Sequence, residues 1–203
     1  MNRIYSEFEN LLSKNHKEEV LHKYIYTHSY LISNLGYGVK LVFSKPSFGS
    51  NFRADFAIVG WGNYYCWTFV EIERNTHKLF TKEGLPSQAL NRAMNQLNSW
   101  WIWLYDYGEY ASSEFYKISG ENTAAIVIGR RNSMSQIDIR RLQHLNASQL
   151  GGKLKIVTYD VLLDNIRSYS NEEIKFLESK HEKMTRFKNI KEWIDYQEES
   201  IKK

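Results

Sequence analysis

The chain has 203 residues, of which 42% are hydrophobic and 25% charged, and its formal net charge is +4. This length suits one domain with elaborations, and the composition excludes a disordered or fibrous protein. The single cysteine, Cys66, excludes a disulfide framework and a cysteine-based zinc site.

The N-terminal part, residues 1 to about 36, is predicted to be helical. Apolar residues at helical spacing predict a first helix that ends before Asn15 and a second from about 16 to 34. Asn15 and Glu18 have the spacing of a capping box at the start of the second helix. The start lacks the apolar core of a signal peptide, and no stretch approaches the roughly 18 apolar residues of a membrane span. We therefore expect a cytoplasmic protein with no membrane partner.

Strands dominate the middle of the chain. One strand is predicted within "LGYGVKLVFSK", and residues 53 to 59 and 64 to 73 form a hairpin around a Gly-Trp-Gly-Asn turn. A long helix follows at about 86 to 106. After it come a strand at 123 to 129, a helix at 135 to 148, a strand at 153 to 160 and a helix at 161 to 168. This order predicts an α/β protein with a mixed central sheet flanked by helices.

Residues 1–170 are predicted to form one domain, and residues 171–203 a charged C-terminal helical extension. This extension holds eight basic and eight acidic residues, so the net positive charge belongs to the first 170 residues. Its pattern leaves two interpretations open. It is either an oligomerisation helix, which would make the protein a homo-oligomer, or a solvated end helix.

The hairpin carries acidic residues where a core strand would have none. If the hairpin centres on Asn63, Asp55 lies opposite Glu71 on one face, with Cβ atoms about 5 Å apart. Like charges at that distance repel, and a divalent cation such as Mg²⁺ would relieve the repulsion. Glu73 points to the same side as Glu71. The alternative is an ordinary solvated face, although Trp67 on the same face does not look solvent-facing.

Two residues outside the hairpin are candidates to join these acids. In the long helix, Gln96 is the only polar member of a stripe that ends in Trp100 and Trp103. It is either a core amide satisfied by backbone or a side chain that reaches the acidic site. Glu18 is either the second member of the capping box or a further carboxylate from a helix packed beside the hairpin.

The order of these motifs resembles the PD-(D/E)xK (restriction-endonuclease-like) nuclease superfamily. More narrowly, it is similar to the nuclease domain of Shedu-type bacterial antiphage proteins. The matching stretches are "EEVLHKYIYTHSYLI", "RADFAIV", "FVEIERNTHKLFTKEGLPSQALNRAMNQLNSWWIWL", "AIVIGRR" and "LKIVTYDVLL", which together cover roughly residues 16 to 168. The resemblance implies that Asp55 and Glu71 are the metal-binding pair, that Gln96 is the helix glutamine, and that Glu18 or Glu19 is the helix acid.

This chain departs from the pattern at one position. Glu73 stands where the superfamily usually has lysine, which gives ExE instead of ExK. Glu73 is then either an additional metal ligand or the base, or else Lys78 or Lys82 supplies a migrated ammonium. Such ExE variants occur among active members of the superfamily.

The resemblance predicts a Mg²⁺- or Mn²⁺-dependent DNA endonuclease, plausible in antiphage defence. Asp55, Glu71, Glu73 and Gln96 would carry the chemistry, with Glu18 as a further metal ligand. The DNA backbone would be contacted by basic residues near the acids and after the next strand, namely Arg53, Arg74, Lys78, Lys82, Arg130 and Arg131. The rival hypothesis is a non-catalytic nuclease-like module that binds nucleic acid or a protein partner. ExE in place of ExK and the modest charge favour the rival.

Overall fold

The computed structural model describes residues 2–37, 39–61, 64–118, 121–148 and 152–202, with the side chains of residues 39 and 40 excepted. The strands are β1 (Val39–Ser44), β2 (Ser47–Phe48), β3 (Phe52–Arg53), β4 (Phe56–Trp61), β5 (Tyr65–Ile72), β6 (Thr123–Val127) and β7 (Leu154–Val157). The helices are α1 (Arg3–Leu12), α2 (Glu18–Thr27), α3 (Tyr30–Ser33), α4 (Gln88–Asp106), α5 (Gly108–Glu114), α6 (Gln136–Ser148), α7 (Tyr159–Arg167), α8 (Asn171–Met184) and α9 (Ile190–Ile201). None of these described helices is long and apolar enough to cross a membrane.

Five strands form one mixed sheet in the order β1-β4-β5-β6-β7. β1, β4 and β5 pair antiparallel, whereas β5, β6 and β7 run parallel. The β4–β5 register pairs Phe56 with Val70 and Trp61 with Tyr65, as the predicted hairpin requires. The centre of the predicted turn, residues 62 and 63, lies outside the described residues. The predicted mixed α/β sheet flanked by helices is therefore confirmed.

Helices cover both faces of the sheet. One face carries Trp67 and Phe69 and packs against α4, whose buried residues are Leu90, Ala93, Leu97, Trp100 and Trp103. The opposite face carries Val70 and Ile72 and packs against residues of α1, α2, α3 and α7. Because side chains alternate along a strand, Glu71 continues the Trp67 face toward α4.

The C-terminal helices add to this core. Trp193 of α9 is fully buried, and its ring lies 5.8 Å from that of Trp67 and 5.7 Å from that of Tyr65. Ile174 of α8 is buried on the opposite face of the sheet. Residues 171–202 therefore bury apolar side chains against the sheet in addition to presenting a charged outer surface.

The second predicted helix differs from the observed one. α2 ends at Thr27 and α3 begins at Tyr30, because His28 has non-helical dihedral angles, φ −124° and ψ 55°. α2 begins at Glu18 with Lys17 as its N-cap, so the predicted capping box does not form. The side-chain oxygen of Asn15 instead accepts a hydrogen bond from Thr76, at 3.4 Å. Glu18 consequently has no capping-box role.

Candidate functional site

Acidic side chains gather at the edge of the sheet where β5 ends. β4 is antiparallel to β5, so Asp55, the residue before β4, lies beside the last residues of β5. The start of α2 and the first turns of α4 reach the same edge. An open cleft of about 570 Å³ lies there, lined by Lys17, Glu18, Glu19, Glu71, Arg74, His77, Arg92 and Gln96.

Asp55 is buried and held in place by both its carboxylate oxygens. Lys45 donates from Nζ to Oδ1 at 2.8 Å, and the backbone amide of Ile72 donates to Oδ2 at 2.9 Å. The Asp55 carbonyl accepts a hydrogen bond from the Lys45 amide, at 2.9 Å, and lies 3.1 Å from the His22 ring. Each carboxylate oxygen can accept a second bond, so Asp55 retains capacity for a ligand. Asp55 lies beside the cleft and is not among the residues that line it.

Glu71 has a buried carboxylate oxygen that no described residue satisfies. Its side chain is buried, and Oε2 forms no hydrogen bond with any described residue. Burial, followed by the charges of the nearby carboxylates of Asp55, Glu18 and Glu73, raises the pKa of Glu71 to about 9. The sequence predicts that these acids repel one another when no cation is bound, and the raised pKa of Glu71 reflects such repulsion. Glu71 also lines the cleft, so its carboxylate lies at the cleft wall although Oε2 itself is buried.

Glu73 differs from its predicted arrangement. Its carboxylate is buried and binds Arg92 through Nη2, at 2.7 Å to Oε1 and 2.8 Å to Oε2. His77 Nδ1 lies 3.2 Å from Oε2. Both oxygens of Glu73 therefore bind a guanidinium in this structure, and its role as a metal ligand beside Asp55 and Glu71 stays a prediction.

Glu18 and Gln96 both lie at the cleft. Glu18 is half-buried, and burial followed by the charges of Asp55 and Glu73 raises its pKa. Gln96 is half-buried and donates from Nε2 to the carbonyl of Arg53, at 3.3 Å. Gln96 therefore reaches the end of the hairpin from α4, as its position in the helical stripe predicts. Glu19 is exposed and also lines the cleft. The catalytic or ligand roles of these residues stay predictions.

The basic residues near the hairpin have different surroundings. Arg74 is exposed and lines the cleft. Arg53 is exposed and its backbone contacts Gln96. Lys78 and Lys82 are also exposed, yet neither is among the described residues that line the cleft. The ammonium closest to the acids is instead that of Lys45, which follows β1.

Arg130 and Arg131 bind acidic side chains of the protein itself. Arg130 is buried and pairs with Glu9, at 2.9 Å, and with Asp160, at 3.0 Å. Arg131 pairs with Asp164, and its amide also donates to Asp160. The Arg130 side chain is only 11% exposed and binds two carboxylates, whereas that of Arg131 is 50% exposed, and the DNA contacts of both stay predictions.

Sequence reasoning missed Lys45, Arg92 and His77, whose nitrogens lie within hydrogen-bond distance of Asp55 or Glu73. Each comes from a different segment, and no local spacing links Lys45 to Asp55 or Arg92 to Glu73. One local signal was present for His77. It follows Glu73 by four residues, and the turn in which the His77 amide donates to the Arg74 carbonyl, at 3.1 Å, brings its ring back to Glu73.

The donor set suits a divalent cation that needs few ligands from the protein. Among the described residues, no three His, Cys, Asp or Glu side chains form a ready-made metal cage. Mg²⁺ does not require one, since it is usually bound by one or two carboxylates with waters and substrate phosphates. Glu71 supplies an unpartnered buried oxygen, and Asp55 and Glu18 are the carboxylates whose charges act on it. These residues therefore fit such an ion.

Comparison with known proteins gives one family. A family model described as "Shedu protein SduA, C-terminal" matches residues 15–163, which is well over half of the chain. The matched region contains the whole cleft and all five strands of the mixed sheet. No curated protein matches the chain.

Proposed function

Since this chain belongs to the family defined by the C-terminal part of the Shedu protein SduA, we propose that it is a metal-dependent DNA endonuclease that acts in antiphage defence. The family membership suggests the defence role. The nuclease chemistry is proposed from the acidic cleft at the end of β5 and from the motif order that resembles PD-(D/E)xK nucleases.

The unpartnered Glu71 carboxylate carries this proposal. A buried carboxylate that lacks a hydrogen bond and has a pKa near 9 is destabilising for the folded protein. Such a group is retained where a ligand satisfies it, and strongly shifted acids in clefts are candidates for functional sites. A cation is the ligand that would offset the charges that Asp55 and Glu18 exert on Glu71.

Glu71, Asp55 and Glu18 are the residues that would hold Mg²⁺ or Mn²⁺. When bound, the ion lowers the pKa of a coordinated water and neutralises charge on the scissile phosphate. Lys45 and the Ile72 amide fix the orientation of Asp55, so its carboxylate does not have to be ordered when the ligand arrives. Gln96, which also lines the cleft, would orient a water or a phosphate oxygen.

The cations of the cleft would bind the DNA backbone. Arg74 is exposed at the rim, and the Arg92 side chain is 65% exposed although its guanidinium binds Glu73. In this proposal Glu73 anchors Arg92 beside the scissile phosphate instead of binding the metal. Arg53 would contact a phosphate further along the strand.

One observation favours the rival function, a non-catalytic module that binds nucleic acid or a protein. Glu73 stands at the usual lysine position, and the cations around the acids already neutralise two of the carboxylates. A site whose charges are balanced by its own side chains binds metal more weakly than an uncompensated one. This alternative predicts DNA binding without cleavage.

A plasmid-nicking assay distinguishes the two functions. Supercoiled plasmid is incubated with wild type, Asp55→Ala and Glu71→Gln, in Mg²⁺ and in Mn²⁺. We expect wild type to nick in at least one metal and both variants to lose the activity, while Glu199→Gln, an exposed change on α9, retains it. Cleavage that persists in both variants would refute the site, and wild-type binding without cleavage in either metal supports the module.

A further inference from the structure

The exposed side of α4 has an unusual composition. From Gln88 to Tyr105 the helix carries a single charged residue, Arg92. Its exposed positions instead include four carboxamides, which we call the carboxamide stripe: Gln88, Asn91, Asn95 and Asn98. Their spacing of three, four and three residues places them on one side of the helix.

This composition is not what an ordinary solvated helix surface shows. Asparagine is among the poorer helix formers, and exposed helix positions usually carry Lys, Glu, Gln or Arg. α8 and α9 of the same chain follow that rule, with acidic and basic residues along their exposed sides. Asn91, in the first turn, donates a hydrogen bond to the Pro86 carbonyl at 3.0 Å, whereas Asn95 and Asn98 lie further into α4 and lower helix stability without a compensating ion pair, which points to a binding role.

The stripe adjoins the candidate site directly. A second cavity of about 510 Å³ is lined by His77, Gln88, Ala89, Asn91, Arg92 and Asn95. His77 and Arg92 line both this cavity and the acidic cleft. A linear polymer bound at the cleft could therefore extend past Arg92 onto the carboxamide stripe without meeting an acidic side chain of α4.

The chemistry and length of the stripe fit DNA. Ten residues separate Gln88 from Asn98, which is roughly 15 Å along the helix axis, or about four base steps of 3.4 Å. Carboxamides both donate and accept hydrogen bonds, and Asn and Gln pair with the edge of adenine in the major groove. They also carry no negative charge that would repel phosphates.

We infer that the carboxamide stripe of α4 contacts the base edges of DNA next to the scissile phosphate and sets a sequence preference there. This inference rests on the proposed DNA cleavage. The same stripe continues into Ile102 and Tyr105, which are 62% and 90% exposed. The end of α4 that carries Ile102 and Tyr105 resembles a surface on which two helices pair. Such a surface needs apolar residues along its whole length, and the carboxamide stripe beside the cleft has none.

The test compares DNA binding by wild type and the double variant Asn95→Ala/Asn98→Ala. Binding of a fluorescein-labelled 30-base-pair duplex is measured by anisotropy in EDTA, so that no cleavage occurs. Neither asparagine side chain forms a hydrogen bond within the described residues, and alanine is the better helix former, so the variant should melt at or above the wild-type temperature. Asn10→Ala, an exposed change on α1, is the matched control.

We expect the double variant to bind about 10-fold more weakly, with an unchanged slope of log Kd against log salt, because carboxamides release no counterions. The control should bind like wild type. Wild-type affinity in the double variant would overturn the inference, even where wild type nicks plasmid and the proposed function stands. Loss of self-association in sedimentation, with DNA binding unchanged, would identify a helix-pairing seam and also overturn it. If wild type neither binds nor cuts DNA, the proposed function fails as well.

Discussion

Replacing Glu71 with glutamine isolates the energetic effect of the unpartnered carboxylate. Glutamine keeps the shape of the side chain and removes its titration. Glu71 is buried beside Asp55, Glu18 and Glu73, with Lys45 as the nearby cation that partly offsets their charge. The change therefore tests whether these groups make the ionised form of Glu71 unfavourable in the metal-free protein.

The sign follows from the direction of the pKa shift. The folded-state pKa of about 9 lies above the ordinary value of 4.5, so the folded protein binds more protons than the unfolded one between these two values. Its stability therefore falls as pH rises through that range. At 1.36 kcal/mol per unit, the step from pH 5 to pH 7 lowers the free energy of unfolding by up to about 3 kcal/mol. Glu71→Gln should lack this loss.

Urea unfolding in EDTA at pH 5 and pH 7 measures the difference between the two proteins. We expect Glu71→Gln to gain roughly 1 to 3 kcal/mol relative to wild type on going from pH 5 to pH 7. Histidines that titrate in this range are common to both proteins and cancel in the difference. Glu199→Gln, on an exposed position of α9, should follow the wild-type profile. Parallel pH profiles for wild type and Glu71→Gln would refute a buried, unpartnered carboxylate.

Two further changes test the surroundings of the site and the role of the C-terminal helices. Arg92→Met removes the guanidinium and leaves the His77 ring as the remaining partner of the buried Glu73 carboxylate. We expect the free energy of unfolding to fall by about 1 to 3 kcal/mol. This range is reduced because the Arg92 side chain is 65% exposed, and solvent weakens its ion pair. Arg92→Lys should recover only part of this lost stability, because an ammonium cannot bind both carboxylate oxygens as a planar guanidinium does. Equal stability of wild type and both variants in urea would contradict the pairing. Trp193→Ala removes a fully buried ring and should cost about 3 to 5 kcal/mol, or roughly 6 to 20 °C in melting temperature at this chain length. Ile201→Ala, 69% exposed on the same helix, should melt like wild type, and a small effect of Trp193→Ala would mean that α9 is not part of the core.

The features that sequence reasoning predicted correctly depend on local periodicity. Alternation in β4 and β5 gave the register that brings Asp55 beside Glu71, and helical spacing placed Gln96 on the side of α4 that faces the hairpin. In each case the position of a side chain follows from the repeat of its own element. The mixed sheet followed from the order of strands and helices.

The features that were missed depend on contacts between distant segments. Lys45 reaches Asp55 because the chain turns at Lys45, which has a φ of +52°. This left-handed conformation is uncommon for lysine and cannot be predicted from the neighbouring residues. Arg92 binds Glu73 only once α4 packs over the end of β5. The short hairpin of β2 and β3 and the helix α5 carry too few residues for a repeat to be recognised.

The hydrogen bond from the Ile72 amide to Asp55 Oδ2 makes one backbone proton a reporter of the site. An amide that donates to a carboxylate has a resonance frequency sensitive to the charge on that carboxylate, and burial keeps this proton from exchanging quickly with water. A cation that binds the Asp55 carboxylate changes the charge on the oxygen that accepts this hydrogen bond. Ligand binding at the cleft is therefore visible by nuclear magnetic resonance at a backbone position, with no label attached to the ligand or to a catalytic side chain.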